Sequence, residues 1–272
     1  MAAVAILGAA GRMGRTLVEL VAAADDLTLA AATVRSDSGW IGHDAGELAG
    51  CGRLDVALTG DPAGAAAAAE VLIDFTLPAA LEGNLAAAVA AGTPIVIGTT
   101  GVDATGEQAI HRASAQVPLV YAANYSSGVT LLRRLVQTAA AALGDDYDVE
   151  ITEAHHRYKR DAPSGTARAL GESVARGRGV RLEDHAIQAR EGIVGERPAG
   201  AIGFQALRGG DIVGEHTVML AGDGERLELT HRASSRATFA RGALRAARWA
   251  AERPAGLYDM DDVLGLNDRA PD

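Results

Sequence analysis

Residues 153–167 read EAHHRYKRDAPSGTA, placing His155, His156 and Lys159 side by side in a chain with 7 histidines among 272 residues. Imidazole exchanges a proton near neutral pH, and an ammonium group holds or polarises an anion. Pro163 and Ser164 match a helix start, the serine as cap, and Asp161 adds negative charge near the N-terminus. Capping explains those residues but not the histidines and the lysine. Three uses compete. A metal site would draw on both histidines with Glu153 or Asp161. Against it, the HEXXH spacing is absent and neighbours on an extended segment point oppositely; no metal is expected. A solvated polar loop has no need of proton-transfer groups. A site that binds an anion and protonates it uses all of them, with Gly165 and Thr166 presenting helix-start amides to a carboxylate. The strand before and Pro163 after put His155 and Lys159 on a loop, free to turn towards one molecule.

A second set of residues opens the chain. VAILGAAGRMGRTLVELV reads as strand, glycine turn and helix. Gly8 permits the tight turn, Gly11 lets the backbone approach a pyrophosphate, and Gly14 lets the helix pack close to the sheet. The spacing is GxxGxxG, with Ala10 at the usual second glycine of the dinucleotide fingerprint. The second strand ends TVRSDS. Val34 stands where an acid would read a ribose 2′-hydroxyl, and Arg35 can pair with a 2′-phosphate, so NADPH is favoured over NADH. Alternatively Arg35 is a solvated loop arginine. Gly98, Thr99 and Thr100 follow another strand, where ligand-binding loops of such sheets lie.

These groups need a scaffold. In the first half, apolar runs at 4–7, 27–34, 71–75, 94–97 and 118–121 alternate with helical stretches at 14–24, 78–91 and 105–115. That is the pattern of a parallel sheet covered on both faces. Residues 39–54 read as an irregular loop, and 63–69 as a short helix. The second half opens on a helix at 128–143 and a strand at 147–154, with another helix at 164–176. Strands then follow without helices between them, at 185–190, 203–208, 214–220 and 226–230, before a final helix at 235–251. The expected fold is α/β: an N-terminal Rossmann dinucleotide-binding domain at 1–126, rejoined by 236–272, and a central α+β substrate domain with a mixed sheet at 127–235. Net charge is −10, which disfavours nucleic acid and anionic membranes as partners. The single cysteine, Cys51, allows no internal disulfide. The beginning runs into a strand with no leader signal, and no apolar stretch spans a bilayer, so a cytoplasmic location is expected.

The chain resembles the 4-hydroxy-tetrahydrodipicolinate reductase (dihydrodipicolinate reductase) family of the diaminopimelate route to lysine. The matching stretches are GAAGRMGR, VLIDFTLP, VIGTTG, YAANYSSGV, EAHHRYKRDAPSGTA, GDIVGEHTVML and THRASSRATFA, spread over nearly the whole length. The resemblance implies reduction of a small cyclic dicarboxylate by NADPH or NADH, in a homotetramer built on the central sheet. It implies that His155 is the acid/base residue and Lys159 a proton donor, either of which delivers the final proton. His156, Gly165 and Thr166 fall at substrate-carboxylate positions. Gly8, Ala9, Ala10, Gly11, Arg12 and Met13, with Gly98, Thr99 and Thr100 and with Ala122, Ala123, Asn124 and Tyr125, fall at coenzyme positions, and Arg35 lies at the adenosine end. Two residues depart from the family pattern: Val34, where many members carry an acid, and Leu77, where some carry a base. Hinges near 124–127 and 234–236 are expected to close a cleft over the reactants. The competing functions are a dehydrogenase of another amino-acid precursor and an NADP-binding sensor without catalysis.

Overall fold

Strands that are apolar without alternation must be covered on both faces, and the computed structural model describes how residues 1–188 and 190–267 achieve this. Position 189 of the strand expected at 185–190, and 268–272 of the expected returning segment, lie outside the described residues. In chain order the strands are β1 (Ala2–Leu7), β2 (Leu27–Thr33), β3 (Leu58–Thr59), β4 (Val71–Asp74), β5 (Ile95–Ile97), β6 (Pro118–Tyr121), β7 (Asp148–His155), β8 (Ala186–Ile187), β9 (Ile202–Arg208), β10 (Gly214–Gly222), β11 (Glu225–Ala233) and β12 (Gly256–Tyr258). The chain divides into one unit of Met1–Ser127 with the segment from Ala237 onward, and a second of Gly128–Arg236.

In the first unit the described strands form one parallel sheet, ordered β12-β6-β5-β4-β1-β2-β3. Strand order reverses at β1, which lies between β2 and β4, so the connections after β1 and β4 leave on opposite faces and open a crevice at the strands' carboxyl ends. Alternate residues of β1 feed two cores. Val4 and Ile6 pack with Leu17, Val18 and Val21 of the helix Arg12–Ala22 and with Ala243, Leu244 and Ala247 of the helix Ala237–Ala250. Ala5 and Leu7 face Leu81 and Leu85 of Pro78–Ala91 and Ile110 of Ala104–Ser114. The returning helix is alanine-rich because it lies close to its neighbours: a Cβ on Gly242 would overlap the Tyr125 carbonyl oxygen. Its Arg248 forks onto Asp26, with nitrogen–oxygen distances of 2.6 and 2.7 Å.

The second unit is built on a mixed sheet, β11-β10-β7-β9-β8 among the described residues, with β10 antiparallel to both neighbours and β7, β9 and β8 parallel. Period-two alternation works on one face only. Val149, Ile151, Ile202, Phe204, Val218 and Leu220 point at Leu132, Val136 and Ala140 of Ser127–Leu143 and at Leu170 and Val174 of Gly165–Arg178. Gly171 admits the Phe204 ring, whose Cζ would lie 2.5 Å from a Cβ there.

Two local expectations are corrected. Among the described residues of the expected 185–190 strand, only Ala186–Ile187 pairs with β9, after a short helix at Leu182–His185. Arg190 is drawn off the ladder by two hydrogen bonds of 2.7 and 2.8 Å to Glu150. The stretch read as irregular contains the helix Ala45–Ala49. Its Asp44 carboxylate accepts the amides of Gly46 and Glu47, and those of Leu54 and Val56 beyond. That one side chain ties the whole excursion together, overriding the low helix propensity of Gly46.

Candidate active site

The strand rule that separates His155 from His156 puts Glu153 and His155 on the same face of β7. His155 is therefore not on a loop, as expected from the sequence, but is the last residue of that strand. Its Nδ1 lies 2.6 Å from Glu153 Oε2. Glu153 is 1% exposed, a depth at which a carboxylate survives only when its lone pairs are filled. Arg208 on β9 supplies a bidentate pair at 2.8 Å to each oxygen, and the Ser164 amide donates to Oε1 at 3.0 Å. Register makes the meeting possible, since Arg208 is the parallel partner of His155 and His216 the antiparallel partner of Glu153. Burial pushes the Glu153 carboxyl up, but the Arg208 and His155 hydrogen bonds outweigh it and hold it below the usual range. For His155, burial wins over the raising effect of Glu153, and the imidazole sits below its ordinary value.

Lys159 follows in the turn after the strand, its Nζ held by Asp161 at 2.8 and 2.9 Å. That hydrogen bond lowers the Asp161 carboxyl. Ser164 caps the helix Gly165–Arg178: its Oγ accepts the Ala167 amide at 3.1 Å and lies 3.1 Å from His216 Nε2. Gly165 and Thr166 form the first helical positions, and a Cβ on Gly165 would meet nothing within 4 Å. The His156 ring lies near Tyr158, ring centroids 6.3 Å apart. The His155 and His216 rings stand edge to face at 5.2 Å. Among the described residues no cluster of three His, Cys, Asp or Glu side chains is placed to hold a metal.

Burial first, and the charge of His155 second, bring His216 down to about 4. A histidine with a depressed folded value binds its proton more readily when unfolded. Stability from keeping it neutral is thus full above about 6.5 and is lost as pH falls from there towards 4. The expected slope is up to about 1.4 kcal/mol per pH unit. Urea midpoints at pH 7 and pH 5 for wild type and His216→Gln test it: the variant should show the smaller drop, and equal drops would count against the assignment.

In the first unit, Gly8 ends β1 with φ +77°, in the left-handed region where a side chain is strained. Gly11 is the N-cap of Arg12–Ala22, with no side-chain cap and no acid in the first turn, so the helix start remains electropositive. A Cβ on Gly14 would lie 2.7 Å from Ala9 Cα, which is why glycine is needed for the helix to seat on the turn. Gly8, Ala10, Gly11 and Arg35 line a cleft of about 1000 Å³, together with Trp40, Thr76, Leu77 and Asn84. Ala9 is buried beneath the turn, its amide donating to the Thr33 carbonyl at 2.8 Å, while Arg12 is exposed and Met13 half-buried. The geometry fits a dinucleotide: a glycine cradle, an uncapped helix start and an open slot at the reversal of strand order.

Several expected coenzyme residues do not line that cleft. Gly98 packs against the Phe75 ring, and Thr99 is buried with its hydroxyl on the Thr76 carbonyl at 3.1 Å; Thr100 is exposed. The Tyr125 side chain is core, its hydroxyl donating to the Ile97 and Val120 carbonyls. Asn124 turns its amide oxygen onto the Ser126 amide; Ala123 is exposed, while Ala122 and Asn124 are half-buried. Sequence reasoning weighed Glu153 only as a metal ligand, not as the partner of His155, and missed Arg208 and His216 in the second unit and Trp40, Thr76 and Asn84 in the first. A signal for Glu153 was present, since residues i and i+2 of a strand share a face.

Comparison with known proteins identifies the family. Residues 2–125 match the family described as Dihydrodipicolinate reductase, N-terminus, and residues 128–264 match Dihydrodipicolinate reductase, C-terminus. A 4-hydroxy-tetrahydrodipicolinate reductase of Alkalilimnicola ehrlichii is 57% identical over 263 residues, covering 97% of this chain and 98% of its own. That of Halorhodospira halophila is 54% identical over the same shares. A dipicolinate-bound dihydrodipicolinate reductase from Paenisporosarcina sp. TG-14 superposes with TM-score 0.76, covering 95% of this chain and 97% of that one. At 24% identity it speaks to the fold alone. With both halves matched and relatives above half identity along almost the full length, the chain belongs to the dihydrodipicolinate reductase family.

Proposed function

We propose that this chain, like the relatives named 4-hydroxy-tetrahydrodipicolinate reductase, reduces that compound, yielding tetrahydrodipicolinate. A hydride and a proton are added and the 4-hydroxyl leaves as water, with the coenzyme held on the first unit and the dicarboxylate on the second. The reading rests on one observation above the others: an imidazole on a buried carboxylate, an ammonium and a helix start occur together at the end of β7. Reduced nicotinamide, when bound, supplies the hydride. The Gly8–Gly11 turn and the start of Arg12–Ala22 hold the pyrophosphate. Lys159 and the Gly165 and Thr166 amides bind the substrate carboxylates, with His156 beside them. His155 Nε2 gives the proton; a bound dicarboxylate adds negative charge beside it and favours the imidazolium. Positioned acid catalysis of this kind contributes about 10²–10⁴-fold.

The coenzyme is NADPH in preference to NADH. Val34 is turned into the core and offers no carboxylate for a ribose 2′-hydroxyl, whereas Arg35 is 82% exposed on the cleft rim, 3.5 Å from Asp37. A charge-assisted pair with a phosphate is worth about 1.5–3 kcal/mol. Arg35→Ala should therefore raise the KM for NADPH about 10–100-fold and change that for NADH little. Equal effects on the two coenzymes would remove Arg35 from the adenosine end.

The enzyme acts as a cytoplasmic homotetramer, assembled through the outer face of the second unit's sheet, where Leu207 is exposed. No described helix is long and apolar enough to cross a membrane. Light scattering at micromolar concentration checks the assembly. The activity is tested by supplying freshly condensed aspartate semialdehyde and pyruvate and following nicotinamide absorbance with each coenzyme. Oxidation that requires the condensation product is expected. Coenzyme binding without it would favour a sensor, and turnover of a different aldehyde or hydroxy acid would favour another dehydrogenase.

A further inference from the structure

We propose that Glu153, locked by Arg208, is a positioning residue that fixes the Nδ1–H tautomer of His155, makes Nε2 the proton-exchanging atom, and sets the start of the carboxylate-binding helix. The inference rests on the functional reading above and adds a residue outside the groups that touch substrate. Glu153 receives four hydrogen bonds, two from Arg208 and one each from His155 and the Ser164 amide. Arg208 is itself fixed, donating to the Leu207 and Asp161 carbonyls at 2.7 Å. An ionised carboxylate only accepts, so the proton between Glu153 and His155 belongs to Nδ1, and Nε2 is left with its lone pair. Gly214 lies on that side: a Cβ there would come within 3.2 Å of Nε2, so glycine keeps the approach open. The other oxygen of Glu153 holds the Ser164 amide, one residue before Gly165 and Thr166. One carboxylate thus joins the proton-exchanging group to the helix that receives the substrate's carboxylates.

The groups facing His155 are Glu153 from its own strand, Arg208 from β9, His216 from β10, and Lys159 with Asp161 from the following turn. All except Glu153 and Asp161 are cationic or neutral, so removing the Glu153 charge leaves the imidazolium opposed. In Glu153→Gln the alkaline limb of the kcat profile should move to lower pH by about 1–3 units. At pH 7.5, kcat should fall about tenfold or more, with the KM for coenzyme unchanged. Glu153→Asp, which keeps the charge on a shorter arm, should restore part of the rate and most of the pH profile.

Wild-type enzyme labelled with ¹⁵N-histidine gives a readout that does not depend on the folding of Glu153→Gln, with the His155 signals assigned by their loss in His155→Gln. Chemical shifts of an Nδ1–H imidazole are expected, and an Nε2–H pattern would overturn the proposal. His155→Gln is assayed in parallel. If it turns over like wild type, the functional reading fails and the inference with it. If it is impaired while Glu153→Gln keeps wild-type kcat and pH profile, the inference alone fails.

Discussion

Replacing His155 by glutamine should lower kcat about 10²–10⁴-fold, equivalent to about 2.7–5.5 kcal/mol of transition-state stabilisation. Glutamine can keep a hydrogen bond to Glu153 but has no proton to exchange near neutral pH. Glu153 stays paired with Arg208, so the buried charge is not stranded and the fold should hold. Coenzyme affinity, which the proposed function assigns to the glycine turn of the other unit, should be nearly unchanged. Lys159→Ala should lose rate on the same scale and raise the substrate KM as well, because it removes charge that binds a carboxylate. Steady-state kinetics with coenzyme titrations by fluorescence separate these effects. Wild-type turnover in both variants would end the assignment of this cluster as the proton-transfer site.

The second large effect is expected at the glycine turn. Alanine at position 14 is favoured by intrinsic helix propensity, by about 1 kcal/mol over glycine. Packing works the other way. The new Cβ would lie 2.7 Å from Ala9 Cα and 2.9 Å from its carbonyl carbon, and would overlap the Gly8 carbonyl oxygen. All three atoms are backbone of the turn, so relief requires moving the turn itself. Overpacking of this kind costs about 1–3 kcal/mol and sometimes more, enough to exceed the propensity gain. Gly14→Ala should lower Tm by several degrees, at about 2–4 °C per kcal/mol, and weaken coenzyme binding about tenfold or more. Calorimetry with and without coenzyme decides it. A variant with wild-type Tm and affinity would mean that the turn is looser than this packing implies.

How much of this was readable beforehand depended on range. The Rossmann half was legible because its strands are apolar on both faces and its glycines are local: Gly8, Gly11 and Gly14 act within one turn and one helix. The candidate proton-transfer stretch stood out for the same reason, its histidines and lysine lying close together in sequence. What escaped was long-range. Arg208 meets Glu153 across 55 positions, and His216 meets Ser164 across 52, through a sheet register that composition does not announce. Tyr125 looks like a ligand residue by its neighbours in sequence, yet two backbone carbonyls take its hydroxyl and bury it. The short helix Ala45–Ala49 was hidden by Gly46 within it, and the carboxylate that stabilises it also binds amides ten and twelve residues away. His155 was assigned to a loop because Pro163 follows it, whereas pairing with Arg208 carries β7 through to that residue.

The most direct test of the two-site account is transfer of label. Enzyme given coenzyme deuterated at the transferring carbon, with the aspartate-semialdehyde/pyruvate condensation product, should yield tetrahydrodipicolinate carrying one deuterium per coenzyme oxidised, read by mass spectrometry. Coenzyme that stays reduced, or product that forms without the label, would contradict it.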